Sequence, residues 1–503
     1  MTKQRKTHIL LGILLFFASF TRIYLLDSIP SGFFCDEASI AYNAYSIMTT
    51  GKDEHGEVLP VFFKAFGEYK GPVAIYATIP FVWFVGLTES SVRLQSAFFG
   101  VITIFFLFLL GKEFYGKRGG FIIAMVATTT PWLIHYNRTG FELNSYTAFF
   151  VAMIYFFIKA TKERMYIIPA FITAAVGLYT YYSAKLLVPI MLIYLLVLLH
   201  KKLLQYKKDF FIGLSIFLMF SIPFILSFTN GQSLARFENV GLFAKDKSFI
   251  EITNTVVDNY LYQLSPMFFI EGDSDYQFRH LSNGLKPLLY PTIPFFYLGI
   301  LLTLFTLKKL SSRILVFWIL IYPIAAAVVT GPPFSGRTII GAPLSAILIG
   351  LGILTTVTYL KKYIPIAITA SLLGTFVIGS FLSFTHFYFT AYPLYSSGYN
   401  GWQYGPKEII LYFQETENNY DEQYMIADRS FNAGEIFFKF YAPGGCSKCK
   451  LGNPSTTYNP NLKQLFAVST DYVTSHPNMQ FSVQKIIYYP NKEVAFYIGE
   501  VVK

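Results

Sequence analysis

The chain has 503 residues, of which 54% are hydrophobic and only 14% charged, and its mean hydropathy is +0.46. That balance excludes an ordinary soluble globular protein and makes a bilayer the natural solvent. The formal net charge of +11 would suit nucleic acid, but Lys and Arg fall in short clusters between apolar runs instead of one patch, so they read as orientation signals.

Lys3, Arg5 and Lys6 precede an apolar run at 9–26 that has the outline of a signal peptide without a small-residue cleavage site, so a retained first membrane helix is expected. Further stretches long enough to span lie at 94–111, 119–136, 144–160, 165–182, 186–200, 210–228, 287–307, 314–331, 338–358 and 364–384. One more apolar run, GPVAIYATIPFVWFVGL at 72–88, is interrupted by Pro80 and barely long enough. The basic residues decide its course. If 72–88 lies along the membrane surface, the N-terminal cluster shares one side with Lys112, Lys117 and Arg118, with Lys162 and Arg164, with Lys201, Lys202, Lys207 and Lys208, with Lys308, Lys309 and Arg313, and with Lys361 and Lys362. If it spans, every later cluster moves away from the first, against the positive-inside rule.

The expected fold class is therefore an α-helical polytopic membrane protein with about eleven spans and an interfacial helix in the first outer loop, followed by a small extracytoplasmic α+β domain. Residues 1–384 form the membrane part and 385–503 the tail, with the N-terminus cytoplasmic and the chain in the plasma (inner) membrane. The outer side receives the loop 27–93, the loop 229–286, shorter turns near Arg138, Tyr181 and Arg337, and the tail. In the tail, IFFKFY (436–441), FAVST (466–470) and KIIYY (485–489) read as strands, while GYNGWQYGPKEIIL (398–411) opens with an amphipathic helix whose Trp402 and Tyr404 rest at the interface. Only Cys35, Cys446 and Cys449 occur. The lone Cys-x-x-Cys lacks the partners of a zinc site and reads as a local disulfide or inert thiols.

Chemistry is expected outside. Asp36 and Glu37 open a helix running to about Thr50, where carboxylates cap free N–H groups and oppose the dipole. Their position just beyond the first membrane helix also makes them candidate catalytic residues, since a carboxylate near low dielectric is costly unless used. Glu68 and Lys70 follow in GEYKGPVAIY and Arg93 in ESSVRLQSAFFG. Further on come Arg138 with Glu142, Tyr181 with Lys185, Arg279 with His280, and Arg337. A lone cation at such depth ordinarily snorkels to headgroups. A sparse set beside acidic residues also suits a lipid-linked phosphate held while a carboxylate handles a proton. Asp53, Glu54 and His55 read as a solvated turn and not as metal ligands.

DEA at 36–38, YNAYSIMTTGKDEHG at 42–56, EYKGP at 68–72 and VRLQSAFFG at 92–100 together resemble the first outer loop of the protein O-mannosyltransferase and aminoarabinose transferase superfamily, the GT-C glycosyltransferases. NRTGFELN at 137–144, LYTYYSAKLLVP at 178–189 and SGRTIIGAP at 335–343 continue the match in order. The resemblance implies transfer of a sugar from a polyprenyl phosphate donor to a hydroxyl of a protein, lipid or glycan, with inversion. It implies an acidic catalytic residue at Asp36, with Glu37 beside it, and a donor-phosphate lysine at Lys70. No cofactor is required and a divalent cation is optional. The sequence departs from the family at Ser39 and Ile40, where DEARY members carry Arg and Tyr, and at Gly71, which replaces the first proline of Lys-Pro-Pro. A lipid-linked glycan transporter or flippase is the alternative, and a glycan-binding receptor or scaffold a third reading. Charges crowded on one face and the lack of an internal repeat argue against alternating access.

Overall fold

The computed structural model describes residues 3–229, 231–232, 241–242, 248–274, 277–332, 334–426 and 430–502, so part of the expected loop 229–286 lies outside the described residues. The chain begins with α1 (Lys3–Ile23), α2 (Cys35–Thr50), the strands β1 (Phe63–Ala65) and β2 (Glu68–Lys70), and then α3 (Pro72–Val85), α4 (Glu89–Thr129), α5 (Pro131–Asn137) and α6 (Leu143–Ala160). Among the described residues, seven helical spans are long and apolar enough to cross a membrane. Two of these, Glu89–Thr129 and Ala184–Thr229, each run two expected spans together, and the shorter apolar helices Arg164–Gly177 and Tyr290–Phe305 account for two more. All the expected spans are thus helical. The long α4 is broken at Gly116, whose φ of 73° and ψ of −179° interrupt the helix with a conformation that a side chain would resist.

Close backbone approach holds the bundle together where small residues permit it. A Cβ at Gly299 would stand 2.1 Å from the carbonyl oxygen of Leu348, and one at Gly352 would stand 2.3 Å from that of Phe295. Helices Ile293–Phe305 and Gly341–Leu360 therefore meet backbone to backbone, the contact that membrane helices use where lipid offers no hydrophobic drive. Residues 72–88 yield the 14-residue helix α3, which keeps Pro80 inside it. It exposes Trp83 and Phe84, rings suited to the headgroup region.

The tail holds a five-stranded sheet in the order β4-β3-β5-β7-β6, built from β3 (Glu422–Met425), β4 (Cys449–Leu451), β5 (Gln464–Ser469), β6 (Phe481–Tyr488) and β7 (Val494–Val501). Strand β3 pairs in parallel with β4 and β5, while β7 pairs antiparallel with β5 and β6. The strands expected at 466–470 and 485–489 are present in β5 and β6. The one expected at 436–441 is not: Glu435–Tyr441 is a helix, and its buried Ile436, Phe437 and Phe440 follow one helical face instead of alternating. Cys446 and Cys449 are joined in a disulfide.

Two further expectations are corrected. Trp402 is fully buried, stacked on Phe141 at 5.8 Å and donating from its indole nitrogen to the Tyr392 hydroxyl at 2.7 Å, because its N–H finds a partner inside. The amphipathic helix of this region starts later, at Pro406. The 53–55 turn is solvated only at His55, which is exposed; Asp53 is buried and accepts from the backbone N–H groups of His55 at 2.8 Å and Glu57 at 2.9 Å. Glu54 binds Asn43 at 3.0 Å and Lys439 of the tail helix at 2.9 Å.

Candidate active site

The first loop is fixed by buried charge. Glu37, third residue of α2, accepts from the backbone N–H of Phe34 at 3.1 Å and of Gly140 at 2.8 Å. It also accepts from Arg93 at 3.0 and 3.2 Å. Arg93 spends its remaining donors on the carbonyls of Leu26, Pro30 and Gly32. Arg138 reaches the carbonyls of Thr21, Leu25 and Ile29. Arg22, which the sequence did not single out, is buried against Asn137 and the carbonyls that end α4. These cations are buried, and backbone carbonyls, the Asn137 and Thr21 side chains and the Glu37 carboxylate take most of their N–H groups.

The same helix start turns Asp36 the other way, into a cavity of about 530 Å³. The hairpin of β1 and β2 supplies its partners. Phe66 and Gly67, with φ of 53° and 80°, make a turn with two positive φ values, the kind whose twist matches antiparallel strands. In that register Ala65 faces Glu68 and Phe63 faces Lys70. Glu68 and Lys70, two residues apart, therefore share the inner face and leave Tyr69 on the other. The Lys70 ammonium contacts the Asp36 carboxylate directly and stands 3.9 Å from Glu142. Lys70 is 1% exposed, whereas the Asp36 side chain is 31% exposed, so of the two, which both line the cavity, the acid is the more open. Burial pushes Lys70 down, but Asp36, Glu142 and Glu68 more than offset it and hold the ammonium above its ordinary value.

The structure also explains the departure from Lys-Pro-Pro. A Cβ at Gly71 would stand 2.1 Å from the carbonyl oxygen of Tyr179, so neither proline nor alanine fits without moving the 178–181 turn. The opposite wall carries the guanidinium groups of Arg279, 4.3 Å over the Phe34 ring, and Arg337, 4.1 Å over Phe334. His280 stacks on Phe334 at 4.2 Å.

Of the residues expected from sequence, Asp36, Glu68, Lys70, Tyr181, Arg279, His280 and Arg337 line the cavity. Glu37, Arg93 and Arg138 do not, being consumed in holding the loop. Glu142, noted in sequence only beside Arg138, lines it as well, and so do Tyr182, Gln277 and Asn432, which the sequence did not single out. Glu142 stands four residues from Arg138 in a motif already noted, whereas nothing in the tail sequence marks Asn432. Among the described residues no three His, Cys, Asp or Glu side chains stand together in a way that could hold a metal ion.

The chain is thus a polytopic helical bundle whose first loop delivers an acid at a helix N-terminus into a cavity that the tail also lines, through Asn432 and Ala433. The family model described as dolichyl-phosphate-mannose-protein mannosyltransferase matches residues 69–226, a range that takes in Lys70 but not Asp36. No curated protein matches the chain in sequence. Among solved structures it is similar to ArnT from Cupriavidus metallidurans in the apo state, at 12% identity and a TM-score of 0.59, covering 99% of this chain and 98% of that one. The same protein bound to undecaprenyl phosphate matches at 11% identity and a TM-score of 0.57, covering 99% and 98%. The Archaeoglobus fulgidus oligosaccharyltransferase tethered to an acceptor peptide matches at 11% identity and a TM-score of 0.51, covering 98% of this chain and 74% of that one. The GT-C resemblance and the expected fold class are borne out.

Proposed function

We propose that the protein is a glycosyltransferase that moves a hexosyl or pentosyl group from a polyprenyl phosphate to a hydroxyl of a protein, lipid or glycan. The observation that carries this reading is a partly exposed Asp36 at a helix N-terminus, in contact with buried Lys70, in a cavity that also holds Arg279 and Arg337. Asp36 takes the proton of the acceptor hydroxyl as its oxygen attacks the anomeric carbon. The bond from that carbon to the phosphate oxygen breaks, polyprenyl phosphate leaves, and the anomeric centre inverts. Lys70, Arg279 and Arg337 offset the charge gathering on the departing phosphate. Glu68, Glu142, Tyr181 and His280 line the space left for the sugar and acceptor.

The basic inter-helix turns support an N-terminus in the cytoplasm, and with it a cavity and tail on the extracytoplasmic face. Incubating the purified protein with polyprenyl-phospho-sugars tests the reading. The expected result is release of polyprenyl phosphate that depends on added acceptor and disappears in Asp36→Asn. Movement of the intact lipid between leaflets without release would favour a transporter instead, and full activity in Asp36→Asn would remove that residue from the chemistry.

A further inference from the structure

Arg279 and His280 reach the cavity on one stretch of chain and Arg337 on another, and neither stretch lies within a regular helix or strand. Something must hold the two at a fixed spacing. Phe334 is one link, since its ring carries both Arg337 and His280. The other is Asp273, a buried residue outside the cavity lining. Its backbone N–H donates to the Leu281 carbonyl at 2.6 Å. Its carboxylate accepts from the Leu281 N–H at 3.0 Å, the Ser335 N–H at 2.7 Å and the Ser335 hydroxyl at 2.6 Å. Ser335 in turn meets the hydroxyl of Tyr136, which lines the cavity, at 2.9 Å, and its carbonyl accepts from Trp132 at 3.2 Å. One ionised side chain thus ties the residue after His280 to the residue after Phe334, with charge-assisted hydrogen bonds on both sides.

We propose that Asp273 is a positioning residue that sets the spacing of Arg279, His280 and Arg337 for the donor's phosphate, a role that rests on the polyprenyl-phosphate reading above. Asp273→Asn is the informative change. Each carboxylate oxygen accepts from a backbone N–H, so whichever way the amide turns, its NH2 faces a donor and one stretch loses its backbone N–H link to this side chain. The donor's KM is expected to rise about 10-fold or more while the acceptor's KM holds and kcat changes less than about 3-fold. Ser335→Ala, which removes only the hydroxyl link, gives a smaller rise in donor KM. Binding of undecaprenyl phosphate alone separates the two claims. If the wild type does not bind it, the donor reading fails. If wild type and Asp273→Asn bind it equally, or if kcat falls with both KM values unchanged, the positioning role is overturned. Should Asp273→Asn fail to fold, Ser335→Ala decides: a raised donor KM supports the role and a wild-type donor KM overturns it.

Discussion

Adjacent acids with opposite fates give the sharpest test. Glu37 is fully buried and each of its oxygens accepts one backbone N–H and one guanidinium N–H, at 2.8 and 3.0 Å for one and 3.1 and 3.2 Å for the other. In Glu37→Gln the new NH2 group confronts a backbone donor and a guanidinium donor, and Arg93 loses its counter-charge. Breaking a buried pair from one side costs about 3–5 kcal/mol. Asp36→Asn differs: the side chain is 31% exposed, its remaining oxygen still accepts from Lys70, and Glu142 stays nearby, so it costs less stability at neutral pH than Glu37→Gln while transfer stops. Thermal unfolding in one detergent, followed by the fraction of protein still monodisperse after heating, measures the first effect, and acceptor-dependent release of polyprenyl phosphate the second. A Glu37→Gln protein as stable as wild type but inactive would refute the division into a structural and a chemical acid.

The Lys70 ammonium is held above its ordinary value of 10.5 in spite of its burial, so its contribution to stability is complete below pH 10.5 and is lost only as pH climbs through the higher folded value. Asp36→Asn removes the leading group that raises it and should therefore lose thermal stability at a lower alkaline pH than wild type, read from unfolding midpoints across the alkaline range; identical profiles would contradict the pairing. Gly71→Ala presses a methyl group against the Tyr179 carbonyl, an overpacking that costs about 1–3 kcal/mol. Because Lys70 precedes it directly, transfer should fall with stability, and an unchanged protein by both assays would show that the 178–181 turn yields freely.

The membrane helices were legible because apolar runs and basic turns are one-dimensional signals, and the Asp36–Lys70 half of the site was legible through a dense run of motifs in one loop. The strand expected at 436–441 failed because six mostly apolar residues carry no alternation to separate β from α, and burial of Phe437 and Phe440 settled it only in three dimensions. Arg93 and Arg138 look like Arg279 and Arg337 in sequence. What separates them is whether backbone carbonyls from a loop far along the chain converge on the guanidinium, which no spacing reveals. Asn432 and the Asp273 tie arise from tertiary contact alone. Trp402 was misread because a glycine- and aromatic-rich segment is as well suited to a buried wedge as to a headgroup belt.

That wedge makes the polar tail inseparable from the apolar bundle. The first loop passes so near it that a Cβ at Gly32 would lie 2.5 Å from the Trp402 carbonyl oxygen, Lys439 grips Glu54, and Asn432 supplies part of the cavity's lining. Truncation after the last hydrophobic segment would leave an open-sided vessel instead of a minimal enzyme. Exchanging tails between distant relatives requires the 30–34 loop and Phe141 to travel with the graft.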